Sequence, residues 1–203
     1  MARLKADFGI SDLEEHLSSV LTSKRFLMRA GLNNEVPFFI LPYKASLGVP
    51  IDRMRVRLLD SLLNNGLSVL AVDLFDLALE IVGTRGLLQK ILEGESATSK
   101  GEIKDLLLNV LDPEQYLVPA IADMLRKKHY DLLVMSGIGE VFPYIRSHNV
   151  LNNLQSTAKE QPTLMFFPGE YTQSLDTGAS LDLFGLLRDD KYYRAFDITK
   201  YEA

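Results

Sequence analysis

Two hydrophobic rhythms alternate along this chain. Short, nearly unbroken apolar runs ("VPFFILPY", "LSVLAVDLF", "YDLLVMSG", "PTLMFFPG" and "YYRAFDI") are separated by longer stretches whose apolar residues recur at helical spacing. Unbroken runs of this length suit strands buried on both faces, as in parallel sheets covered by helices. Leu13, Leu17, Val20 and Leu21 predict an opening helix over 12–30, with Ser11 as its cap, Glu14 completing a capping box and Gly31 ending it. Pro50 opens a second helix that Asn65-Gly66 closes. A third runs from Asp76, its expected cap, to about Leu92, and two more span roughly 102–111 and 114–127 after the polar loop "EGESATSKGE". A helix near 147–157, capped by Ser147, joins the third and fourth runs. The loop "FPGEYTQSLDTGAS" and a short helix near 180–187 join the fourth and fifth.

The order predicts an α/β fold: a mainly parallel five-stranded sheet with helices on both faces and right-handed crossovers. The chain reads as a single domain over 1–203, with a helical insertion at 76–129 in the crossover between strands two and three. The outline is P-loop-like, since a strand leads directly into a helix where phosphate-binding folds place their loop.

Composition narrows the function classes. With 203 residues, 47% of them hydrophobic and 24% charged, the chain can bury a substantial core. A net charge of −5 and a pI near 5.3 disfavour unaided binding to nucleic acid or anionic lipid. No cysteine is present, so disulfides and thiolate metal sites are excluded, and the three histidines His16, His129 and His148 lack metal-ligand spacing. The charged opening "MARLKADFGISDLEEH" has no signal-peptide core, and no run is apolar enough to span a membrane, which predicts a cytoplasmic protein.

The expected phosphate chemistry is missing. A P-loop needs G-x-x-x-x-G-K-[ST], whose glycines open backbone amides and whose lysine reaches the phosphates. The first strand is followed by "LPYKASLGVPIDR", with one glycine and no Gly-Lys pair, so the topology lacks a Walker A loop. "SGIGEVF" places Phe142 where a dinucleotide fingerprint needs its third glycine, and Gly137 and Gly139 then serve a tight turn. Arg55 lies within the apolar arc of its helix, where it either pairs with Asp73, binds an anion, or extends its head to solvent over a packed stem. Asp73, Asp76, Glu140 and Glu170 gather near strand ends without a ligand signature, so no metal and no cofactor is assigned. Ser136 and Ser180 lack the nucleophile elbow G-x-S-x-G. The short basic patches "RMRVR" and "RKKH" read as exposed helix faces. Asn149, Asn152 and Asn153 crowd one short helix beside His148, although asparagine is a poor helix former. Such a face is either a recognition surface, with Arg146 beside it, or an ordinary solvated face.

Longer strings are more specific. "FFILPYKASLGVPIDRMRVRLLDSLL", "FPYIRSHNVLNNLQ", "PTLMFFPGEY" and "SLDLFGLLRDDKYYRAFDI" resemble the BrxB family of bacterial BREX (bacteriophage exclusion) systems, over a span from about Asp12 to the end. The resemblance implies phage defence in a system that distinguishes host DNA by its modification. It also implies neighbours: a DNA methyltransferase, an AAA+-type ATPase and the alkaline-phosphatase-like PglZ. It carries over no catalytic residue. Together with the missing phosphate loop it predicts a non-enzymatic adaptor that meets DNA only through partners. Arg146, His148, Asn149, Asn152, Asn153, Glu170 and Tyr171 are the candidate partner-binding residues. The alternative is a nucleotide- or metal-dependent enzyme or sensor using Arg55, Asp73, Glu140 and Glu170.

Overall fold

A computed structural model describes residues 9–29, 37–174, 178–186 and 195–202. Its elements are α1 (Ile10–Thr22), α2 (Lys24–Leu27), β1 (Phe38–Tyr43), a 3-10 turn (Ala45–Leu47), α3 (Gly48–Asn64), β2 (Val69–Asp73), α4 (Leu74–Thr84), α5 (Leu88–Gly94), α6 (Lys100–Val110), a π turn (Pro113–Leu117), α7 (Val118–Lys127), β3 (Leu132–Ser136), α8 (Ser147–Leu154), β4 (Thr163–Ser174), β5 (Gly178–Leu183), β6 (Phe196–Asp197) and a closing 3-10 turn (Ile198–Lys200). Strands lie in the order β2-β3-β4-β1-β6, all parallel, with β5 antiparallel to the far half of β4. The expected parallel α/β sheet is therefore present, with β5 as an added sixth strand.

The unbroken apolar runs are explained by burial on both faces. Phe39 and Leu41, Leu132 and Val134, and Leu164 and Phe166 point to a core shared with α1 and α3. Their neighbours Phe38 and Ile40, Leu133 and Met135, and Met165 and Phe167 point to the core under α4, α7 and α8. Each fully buried side chain of this size contributes about 1.5–3 kcal/mol. Phe26 of α2 stacks on Phe39 (centroids 4.7 Å apart), and Tyr201 meets both rings edge-on, tying the chain's last described residues to β1.

Several boundaries differ from the sequence expectation. Gly9 occupies the N-cap of α1 without a side-chain bond, and Ser11 is helical, while Glu14 pairs with Arg57 of α3 instead of closing a capping box. The opening helix breaks at Ser23, whose extended backbone and Oγ, accepting from Phe26 N, start α2 afresh. Asp73, not Asp76, caps α4. That helix stops at Thr84, and α5 restarts at Leu88. Arg146, not Ser147, sits at the N-cap of α8.

The largest correction concerns "FPGEYTQSLDTGAS". Its described residues, 167–174 and 178–180, are strand, and strand in place of the expected helix runs on to Leu183. β4 continues to Ser174 and turns back as β5, pairing Gly169 with Leu183 and Ser174 with Gly178. Pro168 marks the handover. It aligns with Tyr43, the last residue of β1, and its carbonyl accepts from Phe184 N at 2.8 Å. The fifth parallel strand is described only over Phe196–Asp197; the rest of "YYRAFDI" before Ala195 and the tip at 175–177 lie outside the described residues.

Candidate functional site at the carboxyl edge of the sheet

In parallel α/β sheets the ligand crevice lies beyond the carboxyl ends of the strands, where successive connections diverge. Here the connection after β1 runs by α3 to the β2 edge, whereas the later ones step back toward β1. The crevice is therefore bounded by Tyr43, Asp73, Ser136 and the start of the β4–β5 hairpin.

A phosphate would find little at the end of β1. Lys44 is exposed, α3 opens at Gly48, and the flanking Leu47 and Val49 present apolar side chains to solvent (37% and 66% exposed). Burial pushes the half-buried Tyr43 phenol up to about 12, and the negative charges of Glu140 and Asp52 add to the effect against the opposing Arg55. Arg55 itself is bound to Asp52, with Nη2 at 2.5 Å and Nε at 3.1 Å from Oδ1, and not to Asp73.

Asp73 is engaged locally. Its carboxylate accepts from Ser136 Oγ at 2.8 Å, from Phe75 N at 2.9 Å and from Asp76 N at 3.3 Å. Gly137 lies against it, with φ +76°. A Cβ there would sit 2.5 Å from Asp73 Oδ1 and 2.9 Å from the amide nitrogens of Leu74 and Phe75. At Gly139 a Cβ would meet Pro168 at 3.0 Å and Phe184 at 3.2 Å. The two glycines of "SGIGE" thus admit the α4 cap and the base of the hairpin. Both serve close approach where the chain turns after β3. No group of three or more potential metal ligands occurs among the described residues.

The proposed contact residues divide between surface and core. Arg146, Asn152 and Glu170 are exposed, and Asn149 and Asn153 are half-buried, with Asn153 Nδ2 donating to the Asn149 carbonyl at 2.8 Å. That back-bond occupies one asparagine within the helix. His148 is only 4% exposed, because it precedes Leu151 by three residues and falls on the same buried face. Tyr171 is 7% exposed, sits opposite Leu181 in the hairpin, and donates from its hydroxyl to the Ala195 carbonyl at 2.5 Å. Tyr171 shares a core with Val150, Leu151 and Leu154 of α8, which links the hairpin to the asparagine helix. Sequence reasoning missed the exposed apolar residues: Val56 and Leu63 on α3, Phe75 and Leu79 on α4, and Phe184 and Leu186 after β5. The first four were legible as apolar positions off the buried stripe of their helices.

No helix among the described residues is long and apolar enough to cross a membrane. The family model described as "BREX protein BrxB" matches residues 70–198. A "BREX protein BrxB" of Bacillus cereus (strain H3081.97) is 34% identical over 197 residues, covering 92% of this chain and 97% of that protein. A second, from Escherichia coli O9:H4 (strain HS), is 27% identical over 191 residues, covering 91% and 90%. No solved structure matches. A family match across more than half the chain and a relative aligned over nearly its whole length make the chain a member of the BrxB family of BREX proteins.

Proposed function

We propose that this chain serves BREX phage defence as a non-catalytic adaptor that binds PglZ, the methyltransferase assembly or both, and reaches DNA only through them. The AAA+-type ATPase is the third candidate neighbour. The observation that carries this reading is the state of the carboxyl edge. Its polar groups are matched to one another, Asp73 to Ser136 and the α4 amides and Arg55 to Asp52, and Glu140 and Asp52 add negative charge near Tyr43 at the end of β1. The crevice is built to hold the fold together, which leaves the outer surfaces as the interacting parts. The exposed members of the contact set, Arg146, Asn152 and Glu170, belong to that surface.

Affinity purification of the tagged chain from cells carrying the whole defence system tests this reading. Stoichiometric recovery of at least one co-encoded protein is expected, and recovery of the chain alone at physiological salt would refute it. Thermal titration with ATP, GTP, Mg²⁺ and Mn²⁺ tests the opposing class. A true ligand at a hundred times its Kd stabilises by about 2.7 kcal/mol, whereas an adaptor without a nucleotide site gives a flat response.

A further inference from the structure

Where the chain enters β3 and β4, at the amino end of the sheet, polar side chains are left unmatched. α7 packs against α8, and an open cleft of about 470 Å³ is lined from both sides of that contact. Leu125, Arg126 and Lys128 come from the end of α7 and just beyond it, and Thr157, Glu160 and Gln161 from the chain after α8. Lys128, Thr157 and Gln161 make no side-chain hydrogen bond or ion pair among the described residues. Arg126 pairs with Asp123, three residues back on the same helix, and an exposed pair of this spacing adds little stability. Arg126 can therefore turn to a better acceptor. Tyr130, 7% exposed, also lines the cleft. Burial, and then the Glu160 carboxylate, raises its phenol above the usual value, so it keeps a proton to donate.

The charges around this cleft are mainly positive, in a chain whose net charge is −5. Arg29 donates to the Lys159 carbonyl at 2.8 Å, which brings that exposed arginine beside the segment carrying Glu160. Arg29, Arg126, Lys127, Lys128 and Lys159 thus stand against Asp123, Asp131 and Glu160. Two of those carboxylates are already engaged. Asp123 holds Arg126, and Asp131 accepts from the Ser68 amide at 2.7 Å, with the exposed His129 ring 3.6 Å away. Basic residues in the last turn of a helix ordinarily answer its dipole, and Arg126 and Lys127 suit that duty. Lys128 lies outside that role. Its backbone is extended, at φ −136° and ψ 138°, beyond the helix, and it lines the cleft.

We infer that this cleft receives an acidic segment of a partner protein, with an Asp or Glu carboxylate entering among Arg126, Lys128, Thr157 and Gln161 and an adjacent apolar side chain resting on Leu125. A carboxylate accepts from several donors at once, and such charge-assisted bonds are the strong ones. The cleft is bounded and carries a carboxylate of its own, Glu160, whereas a nucleic acid calls for a continuous basic stripe. The acidic charge of the whole chain also disfavours a long polyanion, while the local excess of cations selects a short acidic stretch. The inference rests on the adaptor reading and gives it a place on the surface.

The test takes the co-encoded protein that the wild-type chain recovers, purifies it, and titrates it with Lys128→Glu, Glu160→Gln and the control Lys104→Glu. The control makes the same charge reversal on α6, outside the cleft. All three positions are exposed, so the variants should fold, with circular dichroism and melting temperature as the check. The expected result is about tenfold weaker binding by Lys128→Glu, tighter binding by Glu160→Gln and unchanged binding by Lys104→Glu. Zero-length carbodiimide crosslinking of the wild-type complex should join the Lys128 amine to an Asp or Glu of the partner. Wild-type affinity in both Lys128→Glu and Glu160→Gln overturns the inference and leaves the adaptor reading standing. Equal weakening by Lys104→Glu overturns the cleft in favour of net charge. A DNA duplex that the wild-type chain binds and Lys128→Glu releases overturns the choice of occupant. Recovery of no co-encoded protein by the wild-type chain overturns both readings.

Discussion

The substitution Gly137→Ala separates the two meanings of the glycine pair. An L-residue held in left-handed backbone costs roughly 1–2 kcal/mol, and Gly137 has φ +76°. The new methyl group would also sit 2.5 Å from Asp73 Oδ1 and 2.9 Å from two amide nitrogens, so the cap of α4 must shift. Loss of such a cap costs about 1 kcal/mol, up to about 2. The sum is about 2–4 kcal/mol, and a chain of this size loses about 2–4 °C in Tm per kcal/mol, giving a fall of roughly 5–15 °C.

Gly66→Ala provides the control. Gly66 has φ +82° but nothing within 4 Å of the position its methyl group would take, so it incurs the backbone strain alone. The difference between the two variants, measured by urea unfolding with equal m-values, isolates the clash with Asp73. A cycle with Asp73→Ala then reports coupling, because removing the carboxylate removes the nearest obstacle. Equal costs for Gly137→Ala and Gly66→Ala, or additivity in the cycle, would refute the assignment of Gly137 to the α4 cap.

Three further outcomes rest on the packing and the rim. Phe26→Ala empties a fully buried ring position between Phe39 and Tyr201 and should cost about 3–5 kcal/mol in denaturant unfolding. Tyr171→Phe removes the buried hydroxyl that donates to the Ala195 carbonyl and should cost about 1–2 kcal/mol, with the Tm drop as readout. In spectrophotometric titration one of the eight tyrosines should ionise late, near pH 12, and Tyr43→Phe should delete that step. Because the folded value is raised, the contribution of Tyr43 is complete below the unfolded value of about 10 and is lost as pH rises toward 12, so alkaline unfolding of Tyr43→Phe should be shallower between those limits.

The parallel core was legible because burial on both faces leaves a direct trace: Phe38 to Leu41, Leu132 to Met135 and Leu164 to Phe167 are apolar at every position. The hairpin was not legible. Pro168-Gly169 reads locally as a terminator, and only the distant partner β5 makes a strand of the residues from Glu170 to Ser174. Tyr171 could be placed inward only once that pairing was known. His148, in contrast, carried a readable signal: it is in register with Leu151 and Leu154, and its polar ring hid the pattern. The pairing of Arg55 with Asp52 was also local, three residues apart on one helix, a spacing that normally outcompetes a distant partner.

At the carboxyl edge of the sheet the groups that a phosphate would need are engaged within the chain. A bound triphosphate needs free amides, a cation and room for close backbone approach. Here the amides of Phe75 and Asp76 are taken by Asp73, and the cation Arg55 is taken by Asp52. The close approach at Gly137 is filled by the Asp73 carboxylate. An internal anion therefore stands where an external one could be held, and it secures the start of α4 to the end of β3 through Ser136. That bond fixes the two strands nearest the open edge in register. Removing the Asp73 carboxylate should therefore loosen both the start of α4 and the pairing of β2 with β3.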